Sequence, residues 1–361
     1  MRKTALILSL FLCSALHSDL IEFYADWSWN CKGTALFSPP QGWKGEEWAP
    51  LWTIQSLLRE KGWEIKCWDW EFYKPLLAKG DLSAWNALPM QERELTDRIW
   101  ILWNMAGNLS TFDFSRVPKE KLILFMWEPP TVQLSLYTPA IQALFGKIFT
   151  WDDDLVDNKK FFKFNYPVLK KRIEPLYDFD QKKLCVMVNS HLKSTYPKEL
   201  YSERDAVARF FEDKEGEFDL YGHSWDQLKL KNWRGKTPNK IDTIKKYRFC
   251  IAYENTRDIK GYITEKIFDC FQAGCVPIYW GASNICDSIP PECFIDRRKF
   301  KNTQELYDFM KQINRAEYET YLEKAAQFLQ SEKAQLFSRE AFVKIFMNQI
   351  VNSQTHLISC L

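Results

Sequence analysis

The polar residues most able to do chemistry gather in one short stretch in the second half of the 361-residue chain. An apolar run ends at Glu254-Asn255, a polar loop follows, and Tyr262, Glu265 and Lys266 then begin a predicted helix. Their spacing of three and four residues predicts that the last three share one face of its first turns. A lysine beside the free N–H groups of a helix start suits a diphosphate, and a nearby carboxylate suits sugar hydroxyls.

The elements around these residues are predicted to be a strand, a helix and a second strand. The apolar runs Phe249–Tyr253 and Cys275–Trp280 flank the helix, which is expected to end before Gly274. In open parallel sheets, ligands bind at the carboxyl ends of strands, beside helix N-termini. The polar residues therefore fall where such a sheet binds its ligand.

The same stretch resembles a known family. The signature of the α-1,3-fucosyltransferases (glycosyltransferase family 10) is matched in order and spacing by Tyr253-Glu254-Asn255-Thr256, Tyr262-Ile263-Thr264-Glu265-Lys266 and Val276-Pro277-Ile278-Tyr279-Trp280-Gly281. The departures are Tyr for Phe at the first position of the first motif and Thr for Ser at its last. The chain is similar to the family's bacterial branch, because it lacks the Cys-x-x-Cys elements of the animal members.

This resemblance implies an α/β fold that is GT-B-like, with two Rossmann-like, doubly wound domains facing each other across a cleft. The first domain would bind the acceptor and the second would bind GDP-fucose. The implied reaction is an inverting transfer of L-fucose from GDP-fucose to a hydroxyl of an acceptor oligosaccharide or glycoconjugate, in α-1,3 linkage. It requires no cofactor and no metal site, and leaves room for stimulation by a divalent cation such as Mn²⁺.

Glu128 matches the proposed general base of this family, a glutamate at a strand end. It follows the apolar run Leu122–Trp127 and precedes Pro129-Pro130, which fix the next turn. A carboxylate in that position suits general-base catalysis. A solvated loop glutamate is the alternative interpretation.

The resemblance assigns the remaining site residues to donor binding. Arg204 corresponds to an arginine that meets the diphosphate, and Arg209 is the competing position. Gly222 follows a predicted strand, where the absence of a side chain permits close approach of the nucleotide. The motifs add Glu254 and Asn255 near the nucleotide, Tyr262 and Glu265 on ribose or fucose hydroxyls, and Lys266 on the phosphates.

An acidic triplet, Asp152-Asp153-Asp154, follows another strand-like run. It looks like the metal-binding Asp-x-Asp of the other major glycosyltransferase fold, in which the pair holds a divalent ion on the diphosphate. Because a lysine and a helix start already supply the phosphate site, a helix cap or solvated turn is the favoured interpretation. Lining of the acceptor cleft is a further alternative.

Strand-like and helix-like segments alternate along the chain, which is typical of parallel, doubly wound sheets. Besides the two strands of the signature, the predicted strands are Leu20–Tyr24, Trp63–Trp68, Arg98–Trp103, Leu122–Trp127, Lys147–Trp151, Leu184–Val188 and Phe218–Tyr221. A charged, proline-bearing stretch from Leu169 to Lys183 is the best domain boundary. We therefore expect an acceptor-binding domain over 19–168, a GDP-fucose-binding domain over 183–335 and a helical extension over 336–361.

Residues 1–18 resemble a signal peptide or a short anchor. Met1-Arg2-Lys3 precede an apolar run from Ala5 to Leu16, which is too short for a comfortable membrane span. The segment predicts export or membrane association through the N-terminus, and a buried strand or helix is the alternative. GDP-fucose is a cytosolic product, so a location at the cytoplasmic face stays open.

The composition of the chain argues against a nucleic-acid partner and against a zinc site. Lys and Arg total 49 and Asp and Glu total 47, so no basic field is present to recruit nucleic acid. Ten cysteines and four histidines lack the spacing of a zinc site. Cys185, Cys250 and Cys275 lie in apolar runs, as expected of small core residues. Thirteen of the sixteen tryptophans precede residue 155, where they could stack on sugar rings or, as the alternative, fill a core.

Two other functions stay open at this point. A two-domain glycosyltransferase with another nucleotide-sugar donor would share the fold, and a donor screen separates it from a fucosyltransferase. A non-catalytic carbohydrate-binding protein is the second alternative. The joint presence of Glu128, Tyr262, Glu265 and Lys266 argues against it.

Overall fold

The computed structural model of the chain describes residues 20–25, 49–67, 98–103 and 118–352. Two parallel sheets form in these residues, one in each half of the chain. The predicted signal-like segment, residues 1–18, lies outside the described residues. Of the helices in the described ranges, none combines the length and the apolar character that a membrane crossing needs.

The first sheet has six parallel strands in the order β2-β1-β3-β4-β5-β6. They are β1 (Leu20–Ala25), β2 (Glu64–Cys67), β3 (Arg98–Trp103), β4 (Leu122–Met126), β5 (Lys147–Thr150) and β6 (Phe161–Lys163). The first five agree with the predicted strands to within one residue at each end. Every residue of β4 is buried, as expected for a parallel strand covered on both faces.

The second sheet has five parallel strands in the order β11-β10-β9-β7-β8. They are β7 (Lys183–Val188), β8 (Phe218–Tyr221), β9 (Tyr247–Tyr253), β10 (Val276–Trp280) and β11 (Ile295–Asp296). Because all neighbouring strands run in parallel, their carboxyl ends meet at one edge of the sheet. Glu254-Asn255 lie at that edge, and the predicted α/β class is confirmed for both halves.

The helices cover these sheets and connect their strands. In the described residues they are α1 (Ala49–Glu60), α2 (Pro130–Gln133), α3 (Pro139–Ala143), α4 (Tyr201–Phe210), α5 (Lys240–Ile244), α6 (Glu265–Ala273), α7 (Ile285–Ser288), α8 (Thr303–Gln312), α9 (Arg315–Leu329), α10 (Glu332–Gln335) and α11 (Arg339–Phe346). A π-helical turn, Met347–Asn352, continues α11. The late helices were predicted over Thr303–Ile313, Ala316–Leu329 and Arg339–Val351, in agreement with α8, α9 and α11 with its continuation.

Helix α11 and its π-helical continuation return to the first sheet. The rings of Phe342 and Phe346 lie 6.1 and 6.0 Å from the ring of Phe125 in β4. Lys147 of β5 donates a hydrogen bond to the carbonyl of Gln349. The helical extension predicted over 336–361, which is described as far as residue 352, therefore completes the core of the first domain.

The buried residues bear out two expectations from the sequence. Cys185, Cys250 and Cys275 are buried, as predicted for small core residues. Trp103 and Trp151 are 3% and 0% exposed in the first core, so the core-filling alternative holds for these two tryptophans. Phe125 stacks on Phe149 in the same core, with ring centroids 4.4 Å apart.

Candidate active site

Aromatic residues of the first domain fix the backbone at Glu128, two residues beyond the end of β4. The carbonyl of Trp127 accepts hydrogen bonds from Trp151 Nε1, at 3.0 Å, and from the Tyr166 hydroxyl. The carbonyl of Glu128 accepts a hydrogen bond from the Tyr137 hydroxyl at 2.9 Å. Three side chains thus hold the two peptide groups on which the orientation of the Glu128 side chain depends.

The Glu128 carboxyl has the electrostatics of a base that works near neutral pH. Burial raises its pKa to about 7, the positive charge of Lys266 acts in the opposite direction, and Glu265 and Glu254 raise it further. These three charges belong to the second domain, and charge effects in solution weaken beyond about 10 Å. The structure therefore places Glu128 within range of the charges at the start of α6.

Glu254 is fully buried just after β9 and fastens the start of α6. Its Oε1 accepts a hydrogen bond from the Thr264 backbone N–H at 2.9 Å, and its Oε2 accepts one from the Thr264 hydroxyl at 2.7 Å. The Nζ of Lys266 lies 3.2 Å from the same Oε2. Burial raises the pKa of Glu254, whereas Lys266 lowers it. Both carboxylate oxygens of Glu254 contact Thr264 or Lys266. Glu254 therefore positions these two residues of the predicted site.

Helix α6 begins later than the sequence pattern predicts. It starts at Glu265, because the Thr264 side chain caps it by accepting a hydrogen bond from the Lys266 backbone N–H. The prediction that Tyr262 shares the first turns with Glu265 and Lys266 is therefore wrong, and Tyr262 lies in the preceding loop. Its ring is 1% exposed and packs on Trp151 with centroids 4.5 Å apart. Contact of its hydroxyl with a donor sugar stays a prediction.

The first turn of α6 carries closely spaced opposite charges. The Nζ of Lys266 lies 3.4 Å from Oε1 of Glu265, and the Nζ of Lys240, at the start of α5, lies 3.7 Å from the same oxygen. Lys240 is also 2.7 Å from Oδ2 of Asp269. Burial raises the pKa of Glu265, but Lys266 and Lys240 together bring it below its ordinary value. Glu265 is therefore an ionised carboxylate with a side chain 47% exposed.

Arg204, rather than Arg209, points to the carboxyl edge of the second sheet. It is 2% exposed, and its Nη2 donates hydrogen bonds to the Tyr253 carbonyl at 2.7 Å and to Asn255 Oδ1 at 3.0 Å. Its Nε finds no acceptor among the described residues. Arg209 is exposed at the far end of α4. A buried guanidinium with a donor to spare is suited to a phosphate oxygen.

Glycine is required at position 222 for a packing reason that differs from the predicted one. Its φ is +142°, and a Cβ atom there would lie 1.9 Å from the Asn189 carbonyl oxygen. Its N–H donates a hydrogen bond to the Gly235 carbonyl at 2.9 Å. The glycine is therefore required where the chain segments that follow β7 and β8 meet, and close approach of a nucleotide is not needed to explain it.

The acidic triplet forms a turn between β5 and β6 that contacts the second domain. Oδ1 of Asp152 accepts a hydrogen bond from the Asp154 N–H at 3.0 Å, and Asp154 lies 2.8 Å from Lys260 Nζ. The favoured interpretation as a solvated turn is correct for the turn but not for Asp152, which is 8% exposed, and the helix-cap interpretation is wrong because no helix begins here. Over the described ranges, no group of three or more His, Cys, Asp or Glu side chains is arranged to hold a metal ion.

Comparison with known families agrees with this geometry. Residues 179–350 match the family described as "Glycosyltransferase family 10 (fucosyltransferase) C-term". This part of the chain is similar to glycosyltransferase family 10, and we call residues 179–350 the family 10 domain. The match extends from the residues before β7 into the π-helical turn, so it includes the whole second sheet and all the predicted donor-binding residues.

Curated proteins are similar to this chain over short stretches of sequence, and a solved structure shares its fold over most of its length. An alpha-(1,4)-fucosyltransferase of Arabidopsis thaliana is 46% identical over 67 residues, 19% of this chain and 16% of that protein. The alpha-(1,3)-fucosyltransferase FucT of Helicobacter pylori is 36% identical over 76 residues, 21% and 16% of the two chains. The matches thus span about a sixth of these relatives. A solved α1,3-fucosyltransferase has a TM-score of 0.50 at 15% identity, over 92% of this chain and 90% of that one. The fold is the predicted two-domain GT-B type.

The two domains present complementary chemistry to each other. The first domain presents the Glu128 carboxyl, whose pKa of about 7 allows it to take up a proton at neutral pH. The family 10 domain presents Lys266, Arg204 and the N-terminus of α6, all of which favour negative charge. An arrangement of this kind can deprotonate a hydroxyl on one side and stabilise a departing phosphate on the other.

Sequence reasoning missed the residues that support the predicted ones. Tyr137, Trp151 and Tyr166 hold the backbone at Glu128, and no short motif indicates that their polar atoms reach Trp127 or Glu128 carbonyls. Lys240 was also missed. Asn239, the N-cap of α5, is a detectable signal for the helix that carries it, although not for the contact with Glu265.

Proposed function

We propose that the chain is an inverting fucosyltransferase that moves L-fucose from GDP-fucose to a hydroxyl of a glycan acceptor, in α-1,3 linkage. The observation that carries the proposal is the approach of Glu128, from the first domain, to Lys266 and Glu265 of the family 10 domain. The names of the relatives above support fucosyl transfer, and the signature motifs support GDP-fucose as the donor.

On the acceptor side, the Glu128 carboxylate takes the proton of the acceptor hydroxyl as its oxygen attacks. That oxygen forms a bond to the anomeric carbon of fucose from the face opposite the phosphate, so configuration inverts in one displacement. General-base assistance of this kind contributes ~10²–10⁴-fold in rate. A carboxyl with a pKa of about 7 combines a large ionised fraction at neutral pH with useful basicity.

On the donor side, the bond between the anomeric carbon and the β-phosphate oxygen breaks, and its electron pair leaves with GDP. Lys266 and the spare Nε of Arg204 meet the charge that develops on the diphosphate. Glu265 accepts hydrogen bonds from ribose or fucose hydroxyls. No step needs a bound metal ion, so we expect transfer to survive treatment with EDTA, with any Mn²⁺ effect limited to stimulation.

A donor and acceptor screen with the purified chain tests the proposal. Thermal-shift titrations with GDP, UDP and CMP should show stabilisation by GDP at concentrations where UDP and CMP have little effect. Equal protection by GDP and UDP would remove the donor assignment and favour another nucleotide sugar. Incubation of GDP-fucose with a panel of oligosaccharides, followed by NMR of the product, reports both linkage and anomeric configuration. GDP binding without transfer to any acceptor would favour the non-catalytic alternative.

A further inference from the structure

The first domain makes close contacts with the loop that precedes α6. We call residues 256–263, which connect the end of β9 to Thr264, the Gly261 loop. Gly261 has a φ of +79°, and a Cβ atom there would lie 2.2 Å from the Trp151 carbonyl oxygen and 2.5 Å from Lys163 Nζ. Only glycine allows the loop to lie this close to the first domain in this conformation.

Asp153 is the centre of this contact. Its Oδ1 lies 2.5 Å from Lys163 Nζ of its own domain, and its Oδ2 accepts a hydrogen bond from Asn284 Nδ2 at 3.0 Å. Its N–H donates a hydrogen bond to the Lys260 carbonyl at 3.2 Å. Asn284 in turn accepts a hydrogen bond from the Gly261 N–H at 2.9 Å. Asp153 is thus linked to the single peptide group between Lys260 and Gly261, to its carbonyl through the Asp153 backbone N–H and to its N–H through the Asp153 side chain and Asn284.

The neighbouring Asp154 pairs directly with Lys260 of the Gly261 loop, in an ion pair that is more exposed than that of Asp153 with Lys163. The side chains of Asp153 and Lys163 are 34% and 28% exposed, whereas those of Asp154 and Lys260 are 63% and 51% exposed. Exposed ion pairs contribute little, because solvent screens the charges and the side chains remain mobile. Asp154 is therefore a matched control for Asp153 within a single turn.

We propose that Asp153 is a positioning residue for donor binding. By holding the Gly261 loop against the first domain, it sets the position of Thr264, and with it the position of Glu265 and Lys266. Asp153 does not contact the sugar-nucleotide donor and acts only by positioning the loop. The identity of the ligand rests on the proposed function above, whereas the effect on the loop does not.

Two measurements on Asp153→Ala and Asp154→Ala test the proposal. Calorimetric titration with GDP should show about tenfold weaker binding in Asp153→Ala, a coupling of ordinary size between two sites. Hydrogen–deuterium exchange without ligand should be faster in residues 257–264 of this variant. In transfer assays the KM for the donor should rise while kcat stays within about threefold. Asp154→Ala should match the wild type in all three measurements.

Two further variants keep the test decisive. Asp153→Asn retains an acceptor for Asn284 and should show an intermediate effect if Asp153→Ala does not fold. Gly261→Ala, which forces a Cβ atom towards Trp151, should weaken GDP binding even with Asp153 intact. Wild-type GDP affinity and slow loop exchange in Asp153→Ala, or an equal effect of Asp154→Ala, would overturn the proposal. Failure of the wild type to bind GDP would instead reject the donor assignment, and loop exchange would still decide whether Asp153 holds the loop.

Discussion

Lys266 Nζ lies 3.2 Å from Oε2 of Glu254, a carboxylate that is fully buried. A lysine at a helix start is expected from the sequence to support little of the core. Here the lysine is also the counter-charge of a buried acid, so the proposed phosphate contact and the stability of the fold depend on the same side chain. Removal of one partner of a buried pair costs on the order of 3 kcal/mol, because the other charge is left without compensation.

Lys266→Met should therefore lower both donor affinity and stability. Loss of a charge-assisted contact to a phosphate, ~1.5–3 kcal/mol, weakens binding by about one to two decades. The free energy of unfolding should fall as well, because Glu254 loses its counter-charge. Calorimetric titration with GDP and urea denaturation measure the two effects. Lys333→Met, at a lysine whose Nζ reaches only the Asp287 carbonyl, should change neither.

The double variant Glu254→Gln/Lys266→Met separates the two roles of the lysine. Neutralising both partners should recover much of the stability lost in Lys266→Met, because no uncompensated charge remains. Donor affinity should stay low, since the phosphate contact is still absent. If the double variant regains affinity together with stability, Lys266 acts only through the fold.

Glu128→Gln should separate transfer from donor binding. The amide keeps the shape of the side chain but cannot accept a proton, so transfer should fall by ~10²–10⁴-fold. GDP affinity should stay near the wild-type value, because the proposed nucleotide site lies in the other domain. Initial rates of transfer and GDP titrations measure the two quantities. Glu120→Gln, at an exposed glutamate in the short 3-10 helix before β4, is the control and should leave both unchanged. Near-normal transfer in Glu128→Gln would show that Glu128 is structural.

The pH dependence of transfer should report the raised pKa of Glu128. The base must be ionised, so kcat/KM should be constant at high pH and fall tenfold per pH unit below about 7. In Glu128→Gln the residual rate should lose this dependence. A plateau that extends down to pH 5 in the wild type would contradict Glu128 as the base.

Protonation of Glu128 should also affect the free energy of unfolding, but in the opposite direction to its effect on transfer: stability should decrease as the pH rises. The folded-state pKa of Glu128 is raised from 4.5 to about 7, so between these values the native state binds more protons than the unfolded state. The contribution of this group is therefore full below pH 4.5 and is lost as the pH rises through about 7. Glu128→Gln should be at least as stable as the wild type at pH 8 by thermal unfolding, which would distinguish a buried base from a residue selected for stability.

Arg204→Lys should weaken donor binding more than Arg209→Lys. Lysine lacks the planar guanidinium of Arg204, whose Nη2 donates hydrogen bonds to both the Tyr253 carbonyl and Asn255 Oδ1 while its Nε remains available as a donor. GDP affinity should drop by about tenfold or more for Arg204→Lys, since charge-assisted hydrogen bonds are worth ~1.5–3 kcal/mol. Arg209→Lys changes an exposed side chain and should bind GDP like the wild type. Equal effects would restore Arg209 as a candidate.

Local patterns predicted the strands well and the site contacts only in part. Continuous apolar runs bounded by polar residues located β3 and β8 to the residue, because parallel strands buried on both faces need them. The same periodic argument placed Tyr262 on α6, although Thr264 caps that helix and leaves Tyr262 to pack on Trp151.

Contacts between segments that are distant in the chain could not be predicted from the sequence. The close approach of Gly222 to Asn189 and the bonds from Tyr166 and Trp151 to the Trp127 carbonyl depend on how two elements pack, and no local spacing encodes them. The charge environment of Glu128 is of the same kind, because it arises from side chains more than a hundred residues away in the chain.

The return of α11 to Phe125 has a consequence for recombination between relatives. The first domain is assembled from two stretches of chain: one runs from β1 to β6, and the other is α11 with its π-helical continuation, at the end of the family 10 match. An exchange of N-terminal halves at a single crossover near residue 175 would pair the new β4 with a foreign Phe342 and Phe346. Chimeras should therefore inherit both ends of the chain from one parent and only the middle from the other.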